Sequence, residues 1–558
     1  MAVICDTSGV YALYDTDDAQ HEAIATLIKV EPGPLFLPVI LLAESAAGSG
    51  TNHERSRAAL AAPSGWIGYS TQPFEGDRMS VLSCRFPRSY QLCREATLML
   101  LNDVFERFVQ DSPVSVMVRG LLENTLSPRF LDELFANAAE LQYTRTLLFS
   151  SVVDLMGLVV NRIQPAVNSA YHARAKTIGV SLKSVYNKLD NLETGISAAM
   201  VGTTAERLET VVTTMGGALP PLLPGYRIKI LDGNHLAATE HRIKELRTIR
   251  AGALPGQALV VLDPSLMLVT DVVLCEDGHA QERSLLGQIL EIVRAKDVWI
   301  DDRNFCTTGF LFGIARREAF FVVRQHAATL HWEFTGKKRA CGRIETGKVF
   351  EQTVRLTNPD TGEILFARRI TVVLDKPTRD GDGEIHILTN LPKKAARAKT
   401  VADLYRKRWT IETAFQELEA TLDGEINTLG YPKAALFAFC VALVSYNLMS
   451  VIKAALRTVH GEQVVEEEVS GYHLANEVTR THDGMMIAIP EDEWVVFHEL
   501  TPAEMGKVLV GLARNVELER YPKQPHGPKR PKPEKQSGAK IKHVATAKIL
   551  KARHKRTK

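Results

Sequence analysis

The sequence predicts an α/β protein in which a mixed core follows a helical region and is interrupted by an all-β insertion. Residues 91–215 repeat apolar positions at helical spacing, with only three prolines breaking the pattern. Residues 222–325 alternate strand-like and helix-like segments, which is typical of an α/β domain. Residues 326–395 instead contain short alternating runs separated by turn residues, and from residue 400 to about residue 515 the helical pattern returns.

The length and the charge distribution suggest several domains. A chain of 558 residues is too long for one hydrophobic core, so two to four domains are expected. Along the chain we distinguish five segments, residues 1–50, 91–215, 222–325, 326–395 and 400–515, with a linker over 51–90 and a tail over 520–558. The net charge of +2 says little about partners, but beyond Arg520 there is only one acid, Glu534. The tail is therefore strongly basic, and we predict that it is disordered until it meets an anion.

Cysteine usage and hydropathy indicate a protein of the cytoplasm. The seven cysteines are odd in number and form no C-x-x-C pair, which argues against a disulfide framework or a zinc site. No secretory signal opens the chain. The longest apolar stretch, from Ala434 to Ile452, is interrupted by polar residues and is shorter than the roughly 20 residues of a membrane span. We predict a buried helix there, and no membrane association.

The order of elements in residues 222–325 is the basis of the fold prediction. A strand over 226–231 leads to Asp232, and two hairpin-linked strands follow over 258–262 and 266–274. An amphipathic helix over 282–294 precedes a buried strand, 298–300, which leads to Asp301 and Asp302. A helix and a strand over 319–323 complete the set. This is the element order of a ribonuclease H-like fold, with one acid after the first strand and another after the fourth.

A third acid lies on a predicted helix beyond the β insertion. Thr400 is a suitable N-cap, and residues 401–422 contain neither glycine nor proline. At about 100° per residue, Tyr405, Arg408 and Glu412 fall within a sector of about 60° beside the apolar stripe. We therefore expect a phenol, a guanidinium and a carboxylate to point to the same place.

Three converging carboxylates suit a particular chemistry. Two Mg²⁺ ions about 4 Å apart can activate a water or a 3′-hydroxyl and stabilise the leaving oxygen of a phosphodiester. Magnesium prefers oxygen ligands, so Asp232, Asp302 and Glu412 could suffice without histidine or cysteine. Arg408 can bind a phosphate with two parallel hydrogen bonds. Taken singly, each acid is more simply a surface or capping residue, and only their joint placement in the strand order indicates a site.

Three segments carry a resemblance to a known family. The segment LYRKRWTIETAFQELE, with Tyr405, Arg408 and Glu412, resembles the signature of DDE transposases of bacterial insertion sequences, specifically the insertion sequence 4 family. ILDGNH resembles the family's first aspartate block, and WIDDRNF resembles the second. The resemblance covers roughly residues 90–515.

The resemblance implies an enzyme that cleaves terminal inverted repeats and transfers the strands to target DNA, acting as a homodimer on double-stranded DNA with two Mg²⁺ or Mn²⁺ ions. It implies that Asp232, Asp302 and Glu412 are the catalytic metal ligands. Tyr405, Arg408 and Arg303 become contacts to the DNA.

Two positions leave alternatives open. Asp301 competes with Asp302 as the second ligand, and the sequence Asp-Arg-Asn-Phe favours Asp302. Glu419 stands where the signature has a lysine, so that phosphate contact is lost or is supplied by Arg406 or Lys407. An inactive transposase relic that acts only as a DNA-binding protein is therefore an alternative function.

A second DNA-binding element is predicted within the helical region. Residues 173–190 have the spacing of a helix-turn-helix, with Ser181 as the N-cap of the second helix. Lys183, Asn187 and Lys188 then point outward as DNA-binding candidates. An ordinary helix pair without DNA contact remains the alternative.

The N-terminal residues suggest a different origin. Residues 1–44 resemble the opening of a PIN-domain nuclease, with Asp6 and Glu44 matching its first two metal-binding acids. The later acids of such a domain do not follow, so we interpret this segment as a truncated fragment and Met79 as a plausible native start. A PIN-type ribonuclease acting through this fragment is a further alternative function.

Overall fold

The computed structural model describes residues 101, 103–142, 146–326, 330–378, 381–524 and 542–556, together with two short strands near the N-terminus. The chain divides into two compact units. In the first, residues 1–96 and 482–491, strands β1 (Val3–Ile4) and β2 (Leu35–Phe36) pair in parallel. Asp6, Glu44 and Met79 lie outside the described residues. The elements below belong to the second unit, residues 97–481 and 492–558, except that one helix crosses the boundary.

The region before the sheet is helical throughout its described part, in agreement with the periodicity. Two of its helices begin with proline, which suits the first turn of a helix because no amide hydrogen bond is lost there. The helices are α1 (Asp103–Asp111), α2 (Pro113–Thr125), α3 (Pro128–Ala138), α4 (Phe149–Val160), α5 (Val167–Ile178), α6 (Leu182–Asn191) and α7 (Thr194–Thr214).

A mixed sheet of ten strands forms the centre of the unit, which confirms the predicted α/β class. The strand order is β10-β11-β12-β13-β8-β7-β3-β5-β6, with β9 paired to β11. Strands β3, β7 and β8 are parallel, and their neighbours on both sides are antiparallel. The strands of the first part are β3 (Arg227–His235), β4 (Gly252–Leu254, outside this sheet), β5 (Gln257–Asp263), β6 (Leu268–Cys275), β7 (Asp297–Asp301) and β8 (Phe320–Arg324).

The β-rich insertion extends this sheet and does not form a separate one. Its last strand pairs antiparallel with β8, so that Leu388 lies opposite Val323. Its strands are β9 (His331–Phe334), β10 (Arg339–Ile344), β11 (Gly347–Thr357), β12 (Ile364–Leu374) and β13 (Glu384–Thr389).

Side chains alternate between two hydrophobic cores, one on each face of the sheet. Ile230 and Ile300 belong to the core shared with the N-terminal helices and with the helices that follow the insertion. Leu231 and Trp299 belong to the opposite core. Helices α8 (Leu286–Ile292) and α9 (Thr308–Arg316) cover that second face. Because successive residues of a strand point to opposite faces, this division fixes the face on which each acid lies.

The helices after the insertion include α12 (Pro432–His460), the longest one described. It is long and apolar enough to cross a membrane, but almost all of its most apolar window is buried in the protein, as predicted for a core helix. Its Asn447 side chain accepts from Val269 N at 2.7 Å and donates to Val269 O at 2.8 Å. These two bonds satisfy the backbone amide and carbonyl groups of Val269 in the edge strand β6. The others are α10 (Ala398–Arg406), α11 (Trp409–Thr421), α13 (Glu462–Glu468), α14 (Gly471–Ala488, which crosses the unit boundary) and α15 (Pro502–Ala513).

The single helix predicted over residues 401–422 is wrong. Helix α10 ends at Arg406 and α11 begins at Trp409, and the N-cap of α10 is Arg397, not Thr400. Between them, Lys407 N and Arg408 N donate to the carbonyls three residues earlier, which tightens the chain and interrupts the α-helix. Strand β3 also differs from its prediction, because pairing with β5 carries it to His235, so Asp232 lies within the strand.

The prediction of a disordered tail is also wrong for residues 542–556. Strand β14 (His543–Ala545) pairs in parallel with β4, and helix α16 (Thr546–Arg556) follows. Ile549 and Leu550 of α16 pack on a small core that includes Ile243 and Leu246. Two adjacent apolar residues within a basic segment are a weak sequence signal, since the charge pattern dominates the composition.

Candidate active site

The sheet places Asp232 and Asp302 on one face and Asp301 on the other. Asp232 follows Ile228 and Ile230 in the two-residue alternation of β3, and Asp302 follows Val298 and Ile300 in the same way after β7. Strands β3 and β7 are parallel, with Leu231 opposite Asp301. The two neighbouring strands therefore bring Asp232 and Asp302 to the same end of the same face.

Arg408 connects this end of the sheet with the helix that carries Glu412. Its guanidinium donates from Nη1 to Asp232 Oδ2 at 3.2 Å and from Nη2 to Glu412 Oε1 at 2.6 Å. The Arg408 side chain is 11% exposed, whereas the side chains of Asp232 and Glu412 are 21% and 42% exposed. The structure thus brings together an aspartate, an arginine and a glutamate that are up to 180 residues apart in the sequence.

The acids share a negative field that Arg408 partly neutralises. Burial raises the pKa of Asp232 to about 6, and the charges of Glu412 and Asp302 raise it further, while Arg408 and the Gly233 amide act against this rise. Burial also raises the pKa of Tyr405 to about 12, and the charge of Asp302 adds to the effect. Tyr405 and Asp302 therefore belong to the same site as Asp232, Arg408 and Glu412.

Asp301 has a fully buried carboxyl group. Neither of its carboxyl oxygens has a hydrogen-bond partner within the described residues. Burial raises its pKa well above the ordinary range, and Asp232 and Asp302 raise it further. A buried carboxyl group that faces the opposite core cannot meet an ion held by Asp232, so the geometry favours Asp302 over Asp301 as the second ligand.

The donor set is chemically suited to a hard divalent cation. All three candidate ligands are carboxylates, and a cation between them would remove their mutual repulsion. Within the described residues, however, no three acidic, histidine or cysteine side chains are arranged closely enough to hold an ion. Arg408 lies between Asp232 and Glu412, where it supplies the neutralising charge in this arrangement.

Arg162 fixes the far end of the helix that carries Glu412. Its guanidinium donates to the carbonyls of Glu419, Ala420 and Leu422 at 2.9–3.1 Å, which are among the last carbonyls of α11 and lack partners within the helix. The Asp423 amide donates to Val160 O at 2.8 Å beside it. The helical region thereby positions α11 against the sheet.

We expect Arg162→Ala to lower the free energy of unfolding by about 1–3 kcal/mol, because three carbonyl groups lose a charged donor. Urea denaturation followed by circular dichroism measures this change. The control is Arg129→Ala, which removes an exposed ion pair with Glu133 and should have a much smaller effect, because water and salt screen exposed charges. Equal effects of the two substitutions would show that Arg162 does not hold the helix.

The other charged residues near Asp302 and along the signature differ in their exposure and in their ion pairs. Arg303 is exposed next to Asp302. Arg406 forms an ion pair with Glu345 at 2.7 Å, whereas Lys407 is exposed. Glu419 is exposed as well. Arg406 and Lys407 were the two proposed substitutes for the missing lysine. Within the described residues, Lys407 has no ion pair and is therefore the better candidate.

The predicted helix-turn-helix has the expected local geometry. Gly179 ends α5 with a left-handed φ of 66°, which favours glycine, and the Ser181 side chain accepts from the Ser184 amide as an N-cap. Val185 and Leu189 are buried. Lys183 and Asn187 are exposed on α6, as predicted.

Lys188 does not point outward, and this part of the prediction is wrong. Its Nζ lies 3.9 Å from the centroid of the Phe135 ring, and the side chain is half-buried. Burial lowers its pKa. The cation–π contact to α3 holds the ammonium group against the protein, a long-range contact that helical periodicity does not reveal.

Two features near the acids were not predicted. Trp409 is 63% exposed, although it lies between Arg408 and Glu412. A cavity of about 440 Å³ is lined by residues that include His235, Glu282 and Asn304. The Glu282 carboxylate accepts from Asn304 Nδ2 and lies so close to Gly233 that a Cβ at that position would overlap it. An aromatic residue inside a charged motif is a usable signal for Trp409, whereas no spacing rule singles out Glu282.

The chain is similar in sequence to known transposases. Residues 223–448 match the family described as "Transposase DDE domain". The chain is 25% identical over 267 residues to the transposase for insertion sequence element IS421 of Escherichia coli, which covers 42% of this chain and 67% of that protein. The identity to InsL for insertion sequence element IS186A of Escherichia coli strain K12 is also 25% over 267 residues, covering 42% of this chain and 68% of that protein.

A solved structure of a piggyBac transposase synaptic complex with hairpin DNA aligns with 72% of this chain and 86% of that chain, at 8% identity. Its TM-score of 0.32 is too low to carry an argument about the fold. The family match spans β3, β7 and α11, the elements that carry Asp232, Asp302 and Glu412. Together, the match of residues 223–448 to the transposase DDE domain family and the similarity to insertion-sequence transposases support a DDE transposase enzyme.

Proposed function

We propose that this protein cleaves the DNA ends of an insertion sequence and joins them to target DNA, with Asp232, Asp302 and Glu412 as its catalytic acids. The observation that carries the proposal is the convergence of Asp232 and Glu412 on Arg408, with Asp302 on the same face of the sheet. The strand order β6-β5-β3-β7-β8, in which β3, β7 and β8 are parallel to one another, supports a ribonuclease H-like core.

The three acids would hold two Mg²⁺ or Mn²⁺ ions, which supply an activated nucleophile and stabilise the leaving oxygen of the phosphodiester. The chain's own residues then bind and orient the DNA. Arg408 and the exposed Arg303 are placed to contact phosphates, and the exposed ring of Trp409 can stack on a base. Tyr405 is buried with a raised pKa, so its hydroxyl stays protonated and can donate a hydrogen bond.

The finer assignments are part of the same proposal. We place the protein in the insertion sequence 4 family and expect it to bind terminal inverted repeats as a homodimer in the cytoplasm, associated with the nucleoid. Lys183 and Asn187 on α6 are candidates for contacts with the repeats, because their side chains are exposed. The fragment at residues 1–50 and the linker at 51–90 remain proposals about the origin of the N-terminus.

The test is a cleavage assay with the full-length protein and duplexes that carry the element's own ends, found as inverted repeats beside the gene. We expect nicking at the ends with Mg²⁺ or Mn²⁺ and none with EDTA. Binding without nicking would support the alternative, a relic that acts only as a DNA-binding protein, which the acidic Glu419 favours. RNA cleavage that is sensitive to Asp6→Ala but not to Asp232→Ala would favour the PIN-type alternative.

A further inference from the structure

Two segments that are distant in the sequence form one basic surface. The loop over residues 239–254 and the C-terminal segment 542–556 meet where Val544 lies opposite Ala253 and the Gly252 amide donates to Lys542 O at 3.0 Å. The apolar contacts of Ile549 and Leu550 hold α16 on this loop. The basic C-terminus is therefore docked on the protein, next to other cations.

Ion pairs neutralise the acids in this region and leave other cations free. Arg553 pairs with Glu245, and Lys548 pairs with Asp277 at 3.1 Å. Four further cations are exposed, and none has a side-chain partner within the described ranges around them. We call this set the C-terminal basic surface: Lys244, Arg247, Arg250 and Lys551.

The C-terminal basic surface is connected to the proposed catalytic site through short contacts. Glu425, which follows the helix of Glu412, accepts from Asn234 Nδ2 at 3.2 Å and from Ala237 N at 2.7 Å, at the start of the basic loop. The loop of Asp277 and Ala280 contacts Lys548 on one side and lines the cavity of His235 and Glu282 on the other. These contacts place the C-terminal basic surface and the helix of Glu412 on adjoining segments of the same unit.

The charge of the surface fits one kind of partner. Exposed lysine and arginine side chains without acidic partners attract a polyanion, and none of the four residues of the surface is aromatic, so it offers charge and no ring on which a base could stack. We propose that the C-terminal basic surface binds the phosphate backbone of duplex DNA, independently of sequence, while the DNA end occupies the catalytic site. This inference rests on the proposed function, because it assumes that DNA is the substrate of the catalytic site.

The test compares full-length variants by fluorescence anisotropy with a labelled random-sequence duplex of about 30 base pairs, at about 50–200 mM salt. We expect the triple variant Lys244→Gln, Arg247→Gln, Lys551→Gln to bind at least about tenfold more weakly at the lowest salt. The slope of log K against log salt should fall by about 2.7, since each lost phosphate contact removes about 0.9. The charge-conserving variant Lys244→Arg, Arg247→Lys, Lys551→Arg should bind like the parent protein.

The matched control removes the same charge from exposed positions elsewhere, through Lys296→Gln, Lys507→Gln and Arg514→Gln. An equal loss of affinity in this control, or unchanged binding by the first triple variant, would overturn the proposal. The cleavage assay keeps the two proposals apart. If no variant or parent cleaves DNA ends but the first triple variant still loses duplex binding, the catalytic proposal fails and the surface remains.

Discussion

Asp302→Asn is expected to lower the rate of DNA-end cleavage at least about a thousandfold, whereas Asp301→Asn should leave it within about threefold of the parent rate. The two acids are neighbours, but they occupy opposite faces of the sheet. Asp302 lies on the face of Asp232 and loses a carboxylate charge from the site when it becomes asparagine. Asp301 is buried on the opposite face, and burial raises its pKa well above the ordinary range, so an amide of nearly the same shape should replace it with little effect on the site.

This pair of variants separates chemistry from folding. Both substitutions are nearly isosteric, and circular dichroism with thermal unfolding shows whether each variant is folded. Asp232→Asn and Glu412→Gln should be as inactive as Asp302→Asn. The assignment is wrong if Asp301→Asn is the inactive variant and Asp302→Asn cleaves normally.

Arg408→Gln should have opposite effects on metal binding and on catalysis. In the absence of DNA, we expect the affinity for Mn²⁺ to rise at least about tenfold, because a positive charge about 4 Å from the ion costs several kcal/mol even at an effective dielectric constant of about 20. With saturating metal, the cleavage rate should fall at least about a hundredfold, because the guanidinium no longer binds and orients a phosphate. Isothermal titration calorimetry and the cleavage assay measure the two effects.

Two variants control for net charge and for the position of the charge. Lys407→Gln removes the same charge from the neighbouring exposed residue and should leave the affinity for Mn²⁺ unchanged within about twofold. Arg408→Lys keeps a cation beside Asp232 but lacks the planar fork, so metal affinity should stay low while cleavage is impaired. If Arg408→Gln binds Mn²⁺ no better than the parent protein, Arg408 does not compete with the metal.

Local patterns predicted the α/β core because its signals are local. The buried strand before Asp301, the hairpin-linked strands β5 and β6, and the N-cap at Ser181 all follow from residues close together in the chain. The three acids were predicted as ligands in the same way, each from its own segment. The position of Asp302 beside Asp232 depends on the parallel register of β3 and β7, which the element order implies.

The failures share a different physical cause. The break at Lys407, the cation–π contact of Lys188 with Phe135 and the docking of the C-terminal helix all depend on contacts with distant segments. Periodicity continues smoothly through residues 401–422 even though the helix does not. In the tail, the many charged residues dominate the sequence pattern, so the two apolar residues that pack α16 against the protein give only a weak signal. Tertiary contacts decided each of these positions.

The central claim is that Asp232, Asp302 and Glu412 bind divalent cations on one face of the sheet. The most direct measurement is anomalous diffraction from crystals of the protein with a DNA end and Mn²⁺. The account predicts anomalous peaks about 2.0–2.3 Å from oxygens of these three carboxylates, with Arg408 moved onto a phosphate. Peaks that lie instead at Asp301 or at the cavity of Glu282, with Arg408 still bound to Asp232 and Glu412, would contradict it.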